Sequence, residues 1–178
     1  MQMYKEFADI QTPDMVKLKV PELTSGKPII VSSKPDEYQK MYMQELARRS
    51  EAIHGGNIDP RVDNMLKITH EERLLGLDCR CIDPNATPAP DSKVNKLIDN
   101  LEKLYHQTDK EKGVQIVFCD IAINEDSEHF SVYEAIKAEL IKRGIPRDEI
   151  CFAGDAKTDK ARAEMFEQLR KGEKRFIL

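Results

Sequence analysis

The chain has 178 residues, 40% hydrophobic and 34% charged, with a formal net charge of -4 and a pI near 5.7. That length serves one sizeable core, or one domain with an appendage, and leaves little room for two full domains. The acidic balance excludes a global basic field able to hold a polyanion unaided, so any nucleic-acid contact must be local.

No apolar run approaches the roughly 18 residues that span a bilayer, and Met1 to Asp14 lack the apolar centre of a signal peptide. Cys79, Cys81, Cys119 and Cys151 have no disulfide-framework spacing, and Cys119 and Cys151 sit in apolar runs that read as buried strands. These features predict a soluble, cytoplasmic protein. Val16, Leu18 and Val20 alternate with Lys17 and Lys19, and Pro28-Ile29-Ile30-Val31 follows a Thr24-Ser25-Gly26 turn signal, so residues 15–33 read as a hairpin-like pair. Ser33 and Pro35 announce a long surface helix with Tyr38, Met41 and Tyr42 on one stripe and Gly55-Gly56 as its stop. Thr69-His70-Glu71-Glu72 has capping-box form and predicts a short helix through Leu74, Leu75 and Leu77. Pro84, Pro88 and Pro90 then forbid a continuing helix and suit a linker, which divides the chain into 1–90 and 91–178.

Beyond that boundary the pattern changes. Asp91-Ser92 caps a helix carrying Val94, Leu97, Ile98, Leu101, Leu104 and Tyr105 on one face. Val114 to Cys119 is β-branched and aromatic, and predicts a strand buried on both faces. Phe130, Tyr133, Ile136, Leu140 and Ile141 form a second helical stripe, which Gly144 ends with Pro146 just beyond. Ile150-Cys151-Phe152-Ala153 predicts a second strand, and a third helix capped at Thr158 or Asp159 carries Ala161, Met165 and Leu169. Lys174 to Leu178 predicts a third strand with an exposed edge beside it. Strand, helix, strand, helix, strand implies right-handed crossovers and a parallel sheet, so the fold class is α/β behind an α+β N-terminal segment. Ligands of such sheets bind at the carboxyl ends of the strands, which singles out Asp120 to Asn124 and Gly154 to Lys157.

Ser92-Lys93-Val94, the strand ending Phe118-Cys119-Asp120, Phe152-Ala153-Gly154-Asp155, and Arg162 through Gly172 to Leu178 resemble the second RecA-like (P-loop NTPase-type) domain of superfamily 2 helicases and translocases, in their Swi/Snf-like branch. The helicase region of phage and mobile-element proteins that fuse a DNA adenine methylase to a helicase is similar, including segments like Met65 to Thr69 and Leu77 to Arg80. The resemblance implies that the strand ending in Asp120 is motif IV, that Leu169 to Leu178 leads into motif V, and that the chain is truncated before that motif. It further implies contact with a nucleic-acid backbone through Lys93, Asp120, Asn124, Gly154 and Asp155, and ATP and Mg for the parent protein. The partners implied are DNA, the first RecA-like domain of the same parent and a fused or associated DNA methylase.

The chain departs from the family's nucleotide site. No Gly-x-x-x-x-Gly-Lys-Ser/Thr phosphate loop occurs, so no cofactor, catalytic residue or metal is expected in this fragment, and no ATPase activity from it alone. Cys79-Arg80-Cys81 is a weak metal signal without a second pair, and the four histidines fall on separate elements. Lys142-Arg143 with Arg147, and Arg170-Lys171 with Lys174-Arg175, read as solvated basic faces able to steer DNA. Two other readings compete with the motor fragment: a non-catalytic α/β interaction module with residues 1–90 as a docking arm, and a small flavodoxin-like domain.

Overall fold

A computed structural model describes residues 15, 23, 25–56, 58–123 and 129–178. The chain divides into two compact units, Met1–Val31 and Ser32–Leu178. In the first, the Gly26 amide donates to the Leu23 carbonyl at 2.9 Å, closing the expected turn. Val16, Leu18 and Val20 lie outside the described residues. The expected strand at Pro28 to Val31 is corrected: these residues form no strand, and Ile29 and Ile30 are exposed. A strand exists only through ladder bonds to a neighbour, and none reaches these amides among the described residues.

In the second unit, helix α1 (Glu37–His54) starts from Asp36, whose carboxylate accepts from the Gln39 amide while the Gln39 side chain takes the Asp36 N–H. That reciprocal cap satisfies two donors that would otherwise be orphaned. Leu46 is buried and Tyr38 and Tyr42 pack beside it, but Met41 is exposed and leaves the stripe. Helix α2 (Met65–Leu77) begins earlier than the sequence reading. Its cap is Asn64, which accepts from the Lys67 amide at 3.0 Å, and the Thr69 hydroxyl instead donates back to the Met65 carbonyl at 2.8 Å. Thr69 therefore lies one turn inside the helix, where a hydroxyl bonds the preceding turn. The proline-rich stretch is non-helical as expected, yet it runs inside the second unit rather than along a boundary of packing.

Helix α3 (Lys93–Gln107) follows its Ser92 cap, and its face of Val94, Ile98 and Leu101 is buried. Strand β1 (Gln115–Ile116), helix α4 (Val132–Lys142), strand β2 (Ile150–Cys151), helix α5 (Asp159–Arg170) and strand β3 (Phe176–Ile177) complete a mixed α/β fold. Among the described residues it has five α-helices and one three-stranded sheet. The strands run parallel in the order β1-β3-β2, with Gln115 and Ile150 both in register with Phe176. Gly144 ends α4 as the sequence predicts: its φ of 90° is the left-handed conformation that glycine adopts without strain.

Alternation along β3 sorts the two faces. Phe176 and Leu178 pack with Val94, Ile98 and Leu101 of α3 and Ile136 and Leu140 of α4. Ile177 turns the other way and packs with Met165 and Leu169 of α5. Because α5 covers β2 and β3 only, the expectation that the first strand is buried on both faces is corrected. Val117 is buried, but Ile116 is 60% and Phe118 89% exposed. The exposed edge is also relocated, since β3 is the central strand and β1 an outer one.

In the two basic clusters Lys142, Arg147, Arg170 and Lys171 are exposed as expected, but Arg143 is half-buried and Arg175 is not solvated. Arg143 donates to Asp99 at 2.8 Å and to Glu102 at 2.7 Å, which ties α4 to α3. Arg175 is fully buried. Its guanidinium donates to the carbonyls of Gly113 (2.9 Å) and Tyr105 (2.9 Å) and to the Asp109 carboxylate (3.0 Å), and it lies 4.3 Å over the Tyr105 ring. A Cβ at Gly113 would stand 2.6 Å from the Thr108 side chain, so this tight connection from α3 to β1 requires glycine. No helix among the described residues is long and apolar enough to cross a membrane.

Candidate functional site

The carboxyl end of β1 is where the fold leaves charged and aromatic side chains open. The backbone there is pinned from both sides: the Val117 amide donates to the Ile177 carbonyl at 2.9 Å, and the Cys119 amide to the Tyr133 hydroxyl at 3.0 Å. Val117 and Cys119 point to the core, so strand alternation turns Phe118 to the opposite side. The chain then bends through Ala122, whose φ of 54° is a left-handed conformation that costs a residue with a Cβ about 1 kcal/mol or more. The Ala122 carbonyl accepts the first amide of α4 at 2.8 Å, and that bond fixes the bend.

Lys93, Phe118, Asp120, Arg73, Glu72 and Leu77 are among the residues lining one shallow cavity of about 520 Å³ at this rim. Lys93 is the first residue of α3, exposed, and makes no ion pair among the described residues. No acidic residue stands in the first turn of that helix, although Asp91 precedes the cap and pairs with Lys96 at 3.7 Å, and the positive end of the dipole adds to the ammonium charge. Arg73, from α2, donates to the Asp120 carboxylate at 3.0 Å, with both groups largely exposed. A second cavity of about 560 Å³ shares Asp120 and Ile121 and is lined also by His70, Arg80, Cys81 and Phe130. Arg80, which lines it, is held by an ion pair to a buried carboxylate. Asp78 is fully buried and accepts from Arg80 at 2.8 Å through both Nε and an Nη, and the guanidinium lies 4.4 Å over the Phe130 ring. Burial, reinforced by the Asp78 charge, pushes the Cys81 thiol up to about 12, so it is protonated near neutral pH.

The structure thus brings together two of the sequence-predicted residues, Lys93 and Asp120, on one cavity. Asn124 lies outside the described residues. Gly154 and Asp155 are exposed at the carboxyl end of β2, separated from β1 by the central strand, and line neither cavity. Gly154 sits within the 3-10 turn Ala153–Asp155, and of the two expected caps of α5 it is Thr158 that takes the role. Arg162 is exposed and approaches Asp159 at 3.5 Å. Sequence reasoning missed Phe118, which it read as core, and Arg73, which it did not single out. The apolar run hid the first, and a separation of 47 residues from Asp120 hid the second.

Among the described residues, no group of three or more His, Cys, Asp or Glu side chains is arranged to hold a metal. Compared with known proteins, the chain matches no family model, no curated protein and no solved structure.

Proposed function

We propose that this chain is a partial second RecA-like domain of a DNA-dependent ATPase motor, which grips one nucleic-acid strand by its backbone. The observation that carries the reading is the exposed ammonium of Lys93, which makes no ion pair among the described residues, on the first turn of α3 at the carboxyl edge of a parallel sheet. A helix with no acid in its first turn and a lysine that makes no ion pair among the described residues is suited to phosphate, through direct charge and the helix dipole together. Asp120 repels phosphate, so its part is to hold Arg73 at the rim. Gly154 and Asp155 offer a separate turn at the end of β2, for a second contact farther along a strand.

The chain has no phosphate loop, so this reading assigns ATP and Mg to the first RecA-like domain of a parent protein and leaves the fragment inactive by itself. DNA, that first domain and a fused or associated DNA methylase are the partners it proposes. Four free thiols support a reducing, cytoplasmic setting. The test is binding of labelled single-stranded and duplex DNA at low and moderate salt. Weak binding that falls steeply with salt is expected, with Lys93→Gln lowering the affinity several-fold and the logarithmic salt slope by about 0.7 on single strands. Binding indifferent to both salt and Lys93 overturns it.

A second reading, a non-catalytic interaction module, is favoured by the exposed apolar row Val114, Ile116 and Phe118 on the uncovered face of β1. Salt-insensitive capture of a protein partner through that row would support it.

A further inference from the structure

Phe118 is an aromatic side chain on the Lys93 cavity that the backbone-contact reading leaves without a role. We propose that its ring is a stacking platform for a base of a single-stranded nucleic acid; this rests on the proposed function and adds a base contact to it. The ring is 89% exposed, although the amides of its two chain neighbours are fastened to the Ile177 carbonyl and the Tyr133 hydroxyl by hydrogen bonds of 2.9 and 3.0 Å. A presented aromatic on an anchored backbone loses little freedom when a flat ligand settles on it.

The charged lining of the cavity is balanced, Lys93 and Arg73 against Glu72 and Asp120, with Arg73 paired to Asp120 at 3.0 Å. Lys93 and Arg73 line the same cavity as the ring, which is the pairing of aromatic face and cations that single-strand binders use. Carboxylates repel phosphate but accept from the N–H groups on base edges, so a base is tolerated where a bare phosphate is not. The arrangement therefore calls for the sugar-phosphate toward Lys93 and the base on Phe118. Duplex DNA keeps its bases stacked on one another and cannot use this platform, so the predicted ligand is single-stranded.

The chain contains no tryptophan, which makes Phe118→Trp a sole fluorescent reporter at this position. The experiment titrates this variant, Phe118→Ala, Lys93→Gln and the unmodified chain with a short oligothymidylate and with an abasic strand of equal length. The expected result is quenching of the Trp emission by oligothymidylate but not by the abasic strand. Phe118→Ala should weaken oligothymidylate binding about tenfold and leave abasic binding unchanged, whereas Lys93→Gln should weaken both. Absence of quenching, with Phe118→Ala binding oligothymidylate as tightly as the unmodified chain, overturns the stacking role; a Lys93 effect persisting alongside would leave the backbone-contact reading standing. Failure of the unmodified chain to bind either strand overturns both. A Trp emission that shifts with protein concentration and not with oligonucleotide identifies the face as a protein contact and likewise overturns the proposal.

Discussion

The two ends of the sheet treat charge in opposite ways. At the amino ends of the strands, Arg175 is buried and distributes its donors over Gly113, Tyr105, Thr108 and Asp109, while its own amide donates to the Glu149 carbonyl at 2.8 Å and its carbonyl accepts the Gln115 amide at 2.9 Å. Lys174 adds a bond to the Asp148 carbonyl on the same side. Arg175 and Lys174 there join the end of α3, the start of β1 and the residues before β2 to β3. At the carboxyl ends Lys93 has no ion-pair partner among the described residues, Arg73 shares an exposed carboxylate, and Phe118 faces solvent. A closed polar network serves stability, whereas open charges and an uncovered ring contribute little to it and are free for a ligand.

This contrast is broken most directly at Arg175. Arg175→Met keeps much of the apolar stem but leaves several buried carbonyls without a donor, so a loss of about 3 kcal/mol or more is expected, read as a lower denaturation midpoint in urea. A loss below about 1 kcal/mol would mean that the amino end is not held by this network.

The pair α1 and α2 sharpens the comparison through pH. Arg49 donates to Asp63 at 2.7 Å and to Glu71 at 2.5 Å, and Tyr42 donates to Glu71 at 2.9 Å. The Arg49 hydrogen bond holds the Glu71 carboxyl below its ordinary 4.5, and Asp63 is lowered by the same guanidinium. A carboxylate with a depressed folded-state pKa stabilises above its unfolded value and loses that contribution as the pH falls through the folded one. Stability supplied by this cluster is therefore complete near neutrality and disappears as the pH drops below about 4.5. Glu71→Gln should cost roughly 1 kcal/mol at pH 7 and show a smaller drop in melting temperature between pH 7 and pH 3 than the unmodified chain. An equal drop in both would remove the cluster from the acid response.

The smallest effects are expected at the open end. Phe118→Ser and Lys93→Gln should each alter stability by no more than about 0.5 kcal/mol, because neither side chain is buried. A larger loss on either substitution, measured by the same urea titration, would show that these residues serve the fold and would weaken their candidacy as a ligand surface.

Elements with local signals were legible from sequence. Ser92 caps α3, Thr158 caps α5, and Gly144 ends α4, each through bonds within a few residues of itself. The start of α2 was misjudged because Thr69 and Asn64 both have cap chemistry, and only the packing of Ile68 and Leu75 beneath α1 selects the longer helix. The candidate site was half legible. Asp120 followed from where the strand ends and Lys93 from the resemblance, but Phe118 carried the same apolar signature as its buried neighbours, and Arg73 reaches Asp120 from a distant helix.

By itself the sequence determined the helices, the parallel α/β alternation and the strand ends on which ligands of such sheets gather, since periodicity and capping act over a few residues. Tertiary structure alone decided that β3 lies between β1 and β2, that α5 leaves β1 uncovered, and that Arg175 is buried while Phe118 is not. Those outcomes depend on which strand pairs with which and on which face a helix returns to cover. That is a long-range choice, and a hydrophobic run reads the same whether a neighbour arrives to cover it or not.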